Sequence, residues 1–471
     1  MLAAVATALS GGGPAQPARV SLDTARPGRT VPASFLGLSF EVPSVPSLGG
    51  AAAPDVVALL RRVQAAGGAP LTLRAGGASA DETWWDPRHR GRRPPGVRHD
   101  LDGPWLAALD RLSRGLGAPV TLGLNLQAGD TAGAVAFARA ARRRLGRRLD
   151  ALEIGNEPDL YTTARTFGPP AVRRLRKRAR YTPGDYVRDA GRLLDALVAG
   201  LPARERPGLV IGGFAGAAGW PAALPALVAA HPGAVGAIAA HRYGLAGCAL
   251  GAPDGAAAAD ARGRLLGSAA SRGRMEGLEP LIALAHARRL PLRVAELNSA
   301  PCGGAPGASD TFAAALWLTD ALFALVRSGA DRADVHTFDG AVYAPFARRG
   351  DAVVARPPFH GMLAFARAAP RGARLVPVRV SGAGRVRAWA TVDPGGTVRI
   401  VLIAGVNARS VPVRVALGRG RRCARVRVTA APSLGARGGI AERPERTVCP
   451  RGRALALSVP GPSLTVVTVP A

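Results

Sequence analysis

Eight short apolar runs recur between residues 35 and 338, separated by longer stretches rich in Ala, Leu and Arg that have helical character. They are Phe35 to Phe40, Pro70 to Ala75, Pro119 to Leu126, Leu149 to Ile154, Leu209 to Phe214, Val235 to Ala240, Leu292 to Leu297 and Ala333 to Phe338. Strands that read as continuous apolar runs are covered on both faces, and strands alternating with helices assemble as parallel βα units. Eight such units predict an α/β fold of the (β/α)8, or TIM-barrel, type. After about Arg371 the pattern changes to Arg385 to Val392, Thr397 to Val406, Val411 to Leu417, Ala424 to Thr429 and Leu455 to Val459. Turns such as Asp393-Pro394-Gly395-Gly396 separate them, which predicts a C-terminal antiparallel β-sandwich. Arg19 to Thr24 also alternates and is expected to join that sandwich. The expected organisation is an export leader or disordered segment over 1–18, a strand region over 19–34, the barrel over 35–370 and the sandwich over 371–471.

Such barrels carry their active sites at the C-terminal ends of the strands. The fourth run ends as Leu152-Glu153-Ile154-Gly155-Asn156-Glu157-Pro158-Asp159, pushing an Asn-Glu pair into a loop bounded by Gly and Pro. The seventh ends as Val294-Ala295-Glu296-Leu297-Asn298-Ser299, with a second carboxylate 139 residues further on. Strands four and seven lie on opposite sides of a barrel mouth. Hydrolysis of a glycosidic bond needs two carboxyl groups facing each other across a sugar, and Glu157 and Glu296 are the candidates. His241 reads as a buried core histidine, His336 has no assigned role, and Trp84 and Trp85 form either a sugar-stacking wall or the core of a loop.

The net charge of +30 raises nucleic-acid binding, with clusters at Arg142 to Arg148 and Arg173 to Arg178. However, Lys177 is the only lysine, so the charge is an arginine-rich composition spread over solvent-facing positions. Aromatic residues make up only 5%, few for base stacking. A dedicated nucleic-acid partner is therefore not expected, although attraction to acidic polysaccharide is. The middle and C-terminal regions contain no run of 18 apolar residues, so no membrane span is predicted. Met1 to Ser10 is apolar and leads into a Gly/Pro/Ala stretch, resembling a secretory leader without its usual basic start. The four cysteines group by region, Cys248 with Cys302 and Cys423 with Cys449, as expected for two disulfides in a secreted or extracytoplasmic protein. No Cys or His spacing suggests zinc, and no metal or other cofactor is expected.

Several segments together resemble glycoside hydrolase family 79, which includes bacterial β-glucuronidases and heparanases within a larger clan of retaining barrel glycosidases. They are Leu36-Gly37-Leu38-Ser39-Phe40-Glu41, Leu73-Arg74-Ala75-Gly76-Gly77, Glu153 through Tyr161, His241-Arg242-Tyr243 and Ala295-Glu296-Leu297-Asn298-Ser299. The resemblance extends to Pro358-Phe359-His360-Gly361-Met362-Leu363 and the sandwich. It implies Glu157 as acid/base, Glu296 as nucleophile and Asn156 as the contact to the sugar 2-hydroxyl. It further implies that Arg74 and Tyr243 hold the nucleophile, that Glu41 and Asn125 contact sugar hydroxyls, and that the substrate is a β-glucuronide or uronate-bearing glycan. The chain departs from the pattern at Ala300-Pro301-Cys302-Gly303-Gly304, where family glucuronidases tend to present aromatic and amide residues to the substrate carboxylate. A neutral-sugar exo-glycosidase and a non-catalytic carbohydrate- or polyanion-binding protein are the alternatives.

Overall fold

The computed structural model describes residues 17–89, 91–161, 180–216, 218–248, 254–350, 352–382, 386–408, 410–417 and 422–471. The apolar start of the expected leader, the cluster Arg173 to Arg178 and the first residue of the run from Arg385 lie outside them. Eight parallel strands close in sequence order: Leu36–Glu41, Thr72–Gly76, Val120–Leu124, Leu149–Ile154, Gly208–Phe214, Val235–Tyr243, Leu292–Asn298 and Arg332–Thr337. The eighth pairs with the first, completing the (β/α)8 barrel. The largest departure from expectation is the sixth strand, which runs past Ala240 through His241-Arg242-Tyr243. An apolar reading stops at Ala240 because those last residues are polar; in the fold they carry side chains to the mouth.

Local chemistry explains the helices between the strands. Gly103–Leu116 starts at Asp102, whose carboxylate accepts from the Trp105 N–H, and stops at Gly117 in a left-handed conformation. It buries Leu106, Leu109, Leu112 and Leu116, one apolar stripe, against the barrel core. Phe312–Ser328 is different, being buried on every side from Phe312 to Val326. It lies between the barrel and the second domain, so it has no solvent face.

That second domain is a sandwich of two sheets. Val378–Ser381, Ala18–Leu22, Val411–Ala416 and Ala454–Val459 form one, with Ala18–Leu22 paired between Val378–Ser381 and Val411–Ala416. The other runs through Arg374–Val376, Val386–Val392, Val398–Ala404, Ser463–Val469, Ala424–Ala430 and Ala441–Glu442. Its central strands serve two cores. Ile400, Leu402, Val467 and Val469 face the sandwich interior, whereas Val401, Ile403, Leu464 and Val466 pack with the barrel core. The disulfides Cys248–Cys302 and Cys423–Cys449 both form, and no helix among the described residues is long and apolar enough to cross a membrane.

A buried carboxylate fastens the domains together. Asp320, in the helix Phe312–Ser328, accepts from Trp389 Nε1 at 2.6 Å and Ser271 Oγ at 2.6 Å, and pairs with Arg387 at 2.9 Å. Phe323 stacks on Trp389 at 5.5 Å, and Arg272 and Arg327 lie over the same indole at 4.8 and 4.9 Å. Asp320→Ala strands an indole N–H and a half-buried guanidinium, which costs on the order of 3–5 kcal/mol. We expect the variant to unfold several degrees below the parent in a calorimetric scan; an unchanged transition contradicts this account of the interface.

Candidate active site

The strand ends converge on a small set of polar side chains. Strand four stops at Ile154, and Gly155 turns the chain with φ +73°, where a β-carbon would sit 2.8 Å from Leu126 and 2.9 Å from the Tyr161 hydroxyl. Asn156 follows, with its backbone N–H held by the buried Asp81 at 3.1 Å. Glu157 then adopts φ +44°, a left-handed conformation that costs a non-glycine residue about 1–3 kcal/mol. Surrounding bonds impose it: Glu157 N donates to the Gly213 carbonyl at 3.0 Å, and its own carbonyl accepts from Leu160 N at 2.8 Å. Across the mouth, strand seven slips register against both neighbours around Val294 to Leu297. Such an irregularity re-aims side chains, here Glu296.

Glu296 is 4% exposed and held on both oxygens. Arg74 Nη1 donates to Oε1 at 2.9 Å, and the Tyr243 hydroxyl donates to Oε2 at 2.7 Å. Burial alone would raise its pKa, but His241, His336, Arg74 and the Tyr243 hydroxyl outweigh burial and hold the carboxyl well below its ordinary range. Arg74 is itself buried and reaches further: Nε to Glu153 Oε2 at 2.5 Å, Nη1 to Ser39 Oγ at 3.0 Å and Nη2 to Asn156 Oδ1 at 2.9 Å. Burial favours loss of its charge, yet Glu153 and Glu296 overcome this and push its pKa up.

Glu157 faces Glu296 across His241. The ring Nδ1 lies 3.0 Å from Glu157 Oε1 and 3.6 Å from Glu296 Oε2. His241 is buried as the sequence suggested, but it is part of the polar site rather than of the apolar core. Burial works against its charged form; Glu296 and Glu157 prevail and raise its pKa. One ring nitrogen and one oxygen of each glutamate lie within 4.8 Å of one another. This is the one group of His, Cys and carboxylate side chains among the described residues close enough to hold a cation, and the same atoms bracket a site for a reacting bond.

The remaining expected residues are placed as follows. Glu41 ends strand one, accepting from Ala78 N at 3.1 Å, Ser79 N at 2.8 Å and the Ser79 hydroxyl, with His336 Nε2 at 3.5 Å. Burial opposes its ionisation, but His336 and Ser79 outweigh it and lower the pKa. His336 Nδ1 meets Ser39 Oγ at 3.0 Å, linking Glu41 to Arg74 through one hydroxyl. Asn125 is bonded to loop backbone, donating to Thr83 O at 2.8 Å and accepting from Ala128 N at 2.9 Å. Trp84 donates to Asp100 at 2.6 Å and Trp85 packs on Phe137 at 5.5 Å, so both contribute to the loop's own structure. The sequence reading missed Ser39, Asp81 and Glu153. Asp81 accepts from Leu126 N, Asn156 N and the Tyr161 hydroxyl, and so ties three loops together.

No family model matches this chain, and neither does any curated protein sequence. Solved structures do match. A 4-O-α-L-rhamnosyl-β-D-glucuronidase from Fusarium oxysporum 12S, in complex with Rha-GlcA, is 18% identical with a TM-score of 0.75 over 96% of this chain and all of that one. A GH51 arabinofuranosidase from Xanthomonas axonopodis pv. citri is 16% identical with a TM-score of 0.70, covering 96% and 99%. The catalytic domain of GH30 xylanase C from Talaromyces cellulolyticus is 12% identical with a TM-score of 0.57, covering 96% and 100%. The architecture is thus that of the barrel-plus-sandwich glycoside hydrolases. The likeness spans several kinds of them and does not single out family 79.

The Arg74 network has a measurable pH signature. Because the Glu296 pKa is depressed on folding, its stabilising contribution is present above the unfolded value and is lost as pH falls through the folded one. Arg74→Met leaves Glu153 and Glu296 buried without their cation, a loss of about 3–5 kcal/mol at pH 7. Protonation of Glu296 relieves that penalty, so we expect the deficit, read by urea denaturation, to shrink as pH falls below the ordinary carboxyl value of 4.5. A pH-independent deficit contradicts the assignment of Arg74 as their counter-charge.

Proposed function

We infer that this chain is a retaining glycoside hydrolase with Glu157 as acid/base and Glu296 as nucleophile. The observation that carries this reading is the separation of the two carboxylates, with one oxygen of each within 4.8 Å of the other. Retaining enzymes keep the pair about 5–5.5 Å apart, whereas inverting ones need about 6.5–9.5 Å to admit a water. The division of roles follows from charge. Glu296, beside Arg74, Tyr243 and His241, is ionised and suited to attack the anomeric carbon. Glu157 protonates the departing oxygen, and the sugar is then held as an ester on Glu296. With its proton gone, Glu157 takes one from water as that water attacks the anomeric carbon and releases Glu296. Asn156, fixed through its carbonyl by Arg74, meets the sugar 2-hydroxyl, where hydrogen bonds strengthen as positive charge develops. Glu41 and Asn125 are assigned to other sugar hydroxyls; Asn125 does so with an amide that also braces its loop.

A β-glucuronide or uronate-bearing glycan is the substrate class favoured by the family-79-like motifs and by the likeness to the rhamnosyl-glucuronidase. A second reading, a neutral sugar, is favoured by Ala300-Pro301-Cys302-Gly303-Gly304, which follows the nucleophile and is braced by the Cys248–Cys302 disulfide. The two disulfides support action outside the cytoplasm. A panel of chromogenic β-glucuronides, β-glucosides, β-xylosides and α-L-arabinofuranosides separates the two sugars. Binding without turnover of any of them would overturn the enzymatic reading.

The role assignment predicts opposite behaviour for two variants. Glu296→Ala abolishes turnover of every substrate, because no ester can form. Glu157→Ala keeps the first step on a substrate with a good leaving group, accumulates the ester, and recovers turnover with azide as a glycosyl azide of retained configuration. Rescue of Glu296→Ala with retention, or near-parental rates in both variants, contradicts the assignment.

A further inference from the structure

The arginine cluster Arg142 to Arg148 has no part in the site at the barrel mouth. It closes the helix Thr131–Leu145 and the turn Gly146–Arg148, immediately before strand four begins at Leu149. The helix Gly103–Leu116 likewise ends just before strand three begins at Val120. Both helix ends therefore lie at the N-terminal end of the barrel, opposite the glutamates. Asp110 joins them. Fully buried, it takes Arg114, Arg144 Nε at 3.0 Å and Arg148 Nη2 at 2.6 Å. One negative charge thus meets three positive ones, and the side chains of Arg114 and Arg144 remain 66% and 46% exposed.

Four further arginines add to that surplus. Arg139 Nε donates to the Gly200 carbonyl at 2.9 Å and Arg142 Nη1 to the Gly146 carbonyl at 2.9 Å, while Arg143 and Arg147 are exposed. None of the four pairs with an acid among the described residues. Arg139 and Arg143 stand about 6 Å apart along the helix axis, on one face, and Arg147 follows in the next turn. Acids that could neutralise them are engaged elsewhere: Asp150 by Arg293 at 2.9 Å, Asp195 by His231 at 3.0 Å and Glu205 by Arg204 at 3.5 Å. Backbone carbonyls steady a guanidinium without cancelling its charge. Seven arginines around one acid compare with 62 basic to 32 acidic residues in the whole chain, so composition alone does not account for this surplus.

We propose that the ends of these two helices form an anchoring surface for an acidic polysaccharide, separate from the catalytic mouth. Exposed guanidinium forks suit carboxylate or sulfate groups repeated along a glycan, because each fork can give two parallel N–H donors to one anion. No residue from 138 to 148 is aromatic, so the cluster offers nothing for nucleic-acid bases to stack on. The choice of a glycan rests on the glycosidase reading and on the disulfides that favour action outside the cytoplasm. An enzyme held on the polymer that carries its substrate works at a raised local concentration.

Binding of the full chain to polygalacturonate, a linear polyuronate, tests the surface over a series of salt concentrations. The triple variant Arg139→Gln, Arg143→Gln, Arg147→Gln removes three charges and keeps a good helix former at each place. The slope of log Kobs against log salt is expected to become shallower by about two, at roughly 0.7 per charge for a linear polyanion. Arg19→Gln, Arg379→Gln, Arg414→Gln removes the same net charge from exposed positions of the sandwich sheet and should change the slope by less than about one. Equal effects of the two triple variants mean that net charge alone holds the glycan, and overturn the proposal. A helix variant that loses affinity for duplex DNA but not for polygalacturonate marks a nucleic-acid surface and overturns it too. If the helix triple does not fold, Arg143→Gln alone should lower the slope by about 0.7, and an unmoved slope again overturns the proposal. Binding is read without turnover, so the two readings fail separately. A chain that cleaves no glycoside yet shows the slope change loses the enzymatic reading and keeps the surface; an active chain with an unmoved slope loses only the surface.

Discussion

The centre of this molecule depends on one guanidinium. Arg74 stands inside the barrel at 1% exposure and bonds Ser39 on strand one, Glu153 on strand four, Asn156 just beyond it and Glu296 on strand seven. Its planar fork can serve two carboxylates in different directions at once, which a lysine ammonium on its flexible stem cannot do with the same geometry. Arg74 lies between two buried carboxylates and offsets the repulsion of their charges, and it is among the groups that hold Glu296 well below the ordinary carboxyl range. The separation of Glu157 and Glu296 is then inherited. Asn156, fixed on Arg74, precedes Glu157, and Glu296 is bonded to the same cation.

Around that hub, backbone irregularity concentrates where polar groups must be delivered. Gly155, Gly212 and Gly213 all have positive φ, Glu157 shares that conformation despite its side chain, and strands five and seven both slip register nearby. Regular strands would point alternate side chains inward at fixed spacing. These departures let Glu157, His241 and Glu296 meet at one place. Asp81 stabilises the result by accepting from two backbone N–H groups and a phenol, satisfying loops that would otherwise carry unpaired donors.

The barrel strands were legible because burial on both faces writes a continuous apolar run, as in Gly208–Phe214. Glu157 and Glu296 stood out as candidates because one follows such a run and the other lies near the end of one. Ser463–Val469 was missed, although it is a central sandwich strand. Its Ser and Thr residues mask its burial, and its two faces serve different cores. Glu153 and Asp81 could not be distinguished from ordinary acids, since their partners are 79 and 45 to 80 residues away in sequence. His241 carries the same ambiguity. A histidine following Ala239 and Ala240 reads as core, and only the closure of the barrel brings Glu157 and Glu296 against it.

The excess of arginine gives that histidine its meaning. Several buried acids are held by arginine: Asp110 by Arg114, Arg144 and Arg148, Asp320 by Arg272 and Arg387, Asp334 by Arg332, and Glu153 and Glu296 by Arg74. An arginine partner cannot give up its proton near neutral pH, so it locks a carboxylate in the charged form. Among the site carboxylates, Glu157 and Glu41 meet a histidine instead, His241 and His336. Glu157 is bonded to His241, and imidazole is the side chain whose charge ordinarily changes near neutral pH. Under the proposed roles, the carboxylate that must exchange a proton therefore meets a histidine, while Glu296, which must stay charged, meets Arg74.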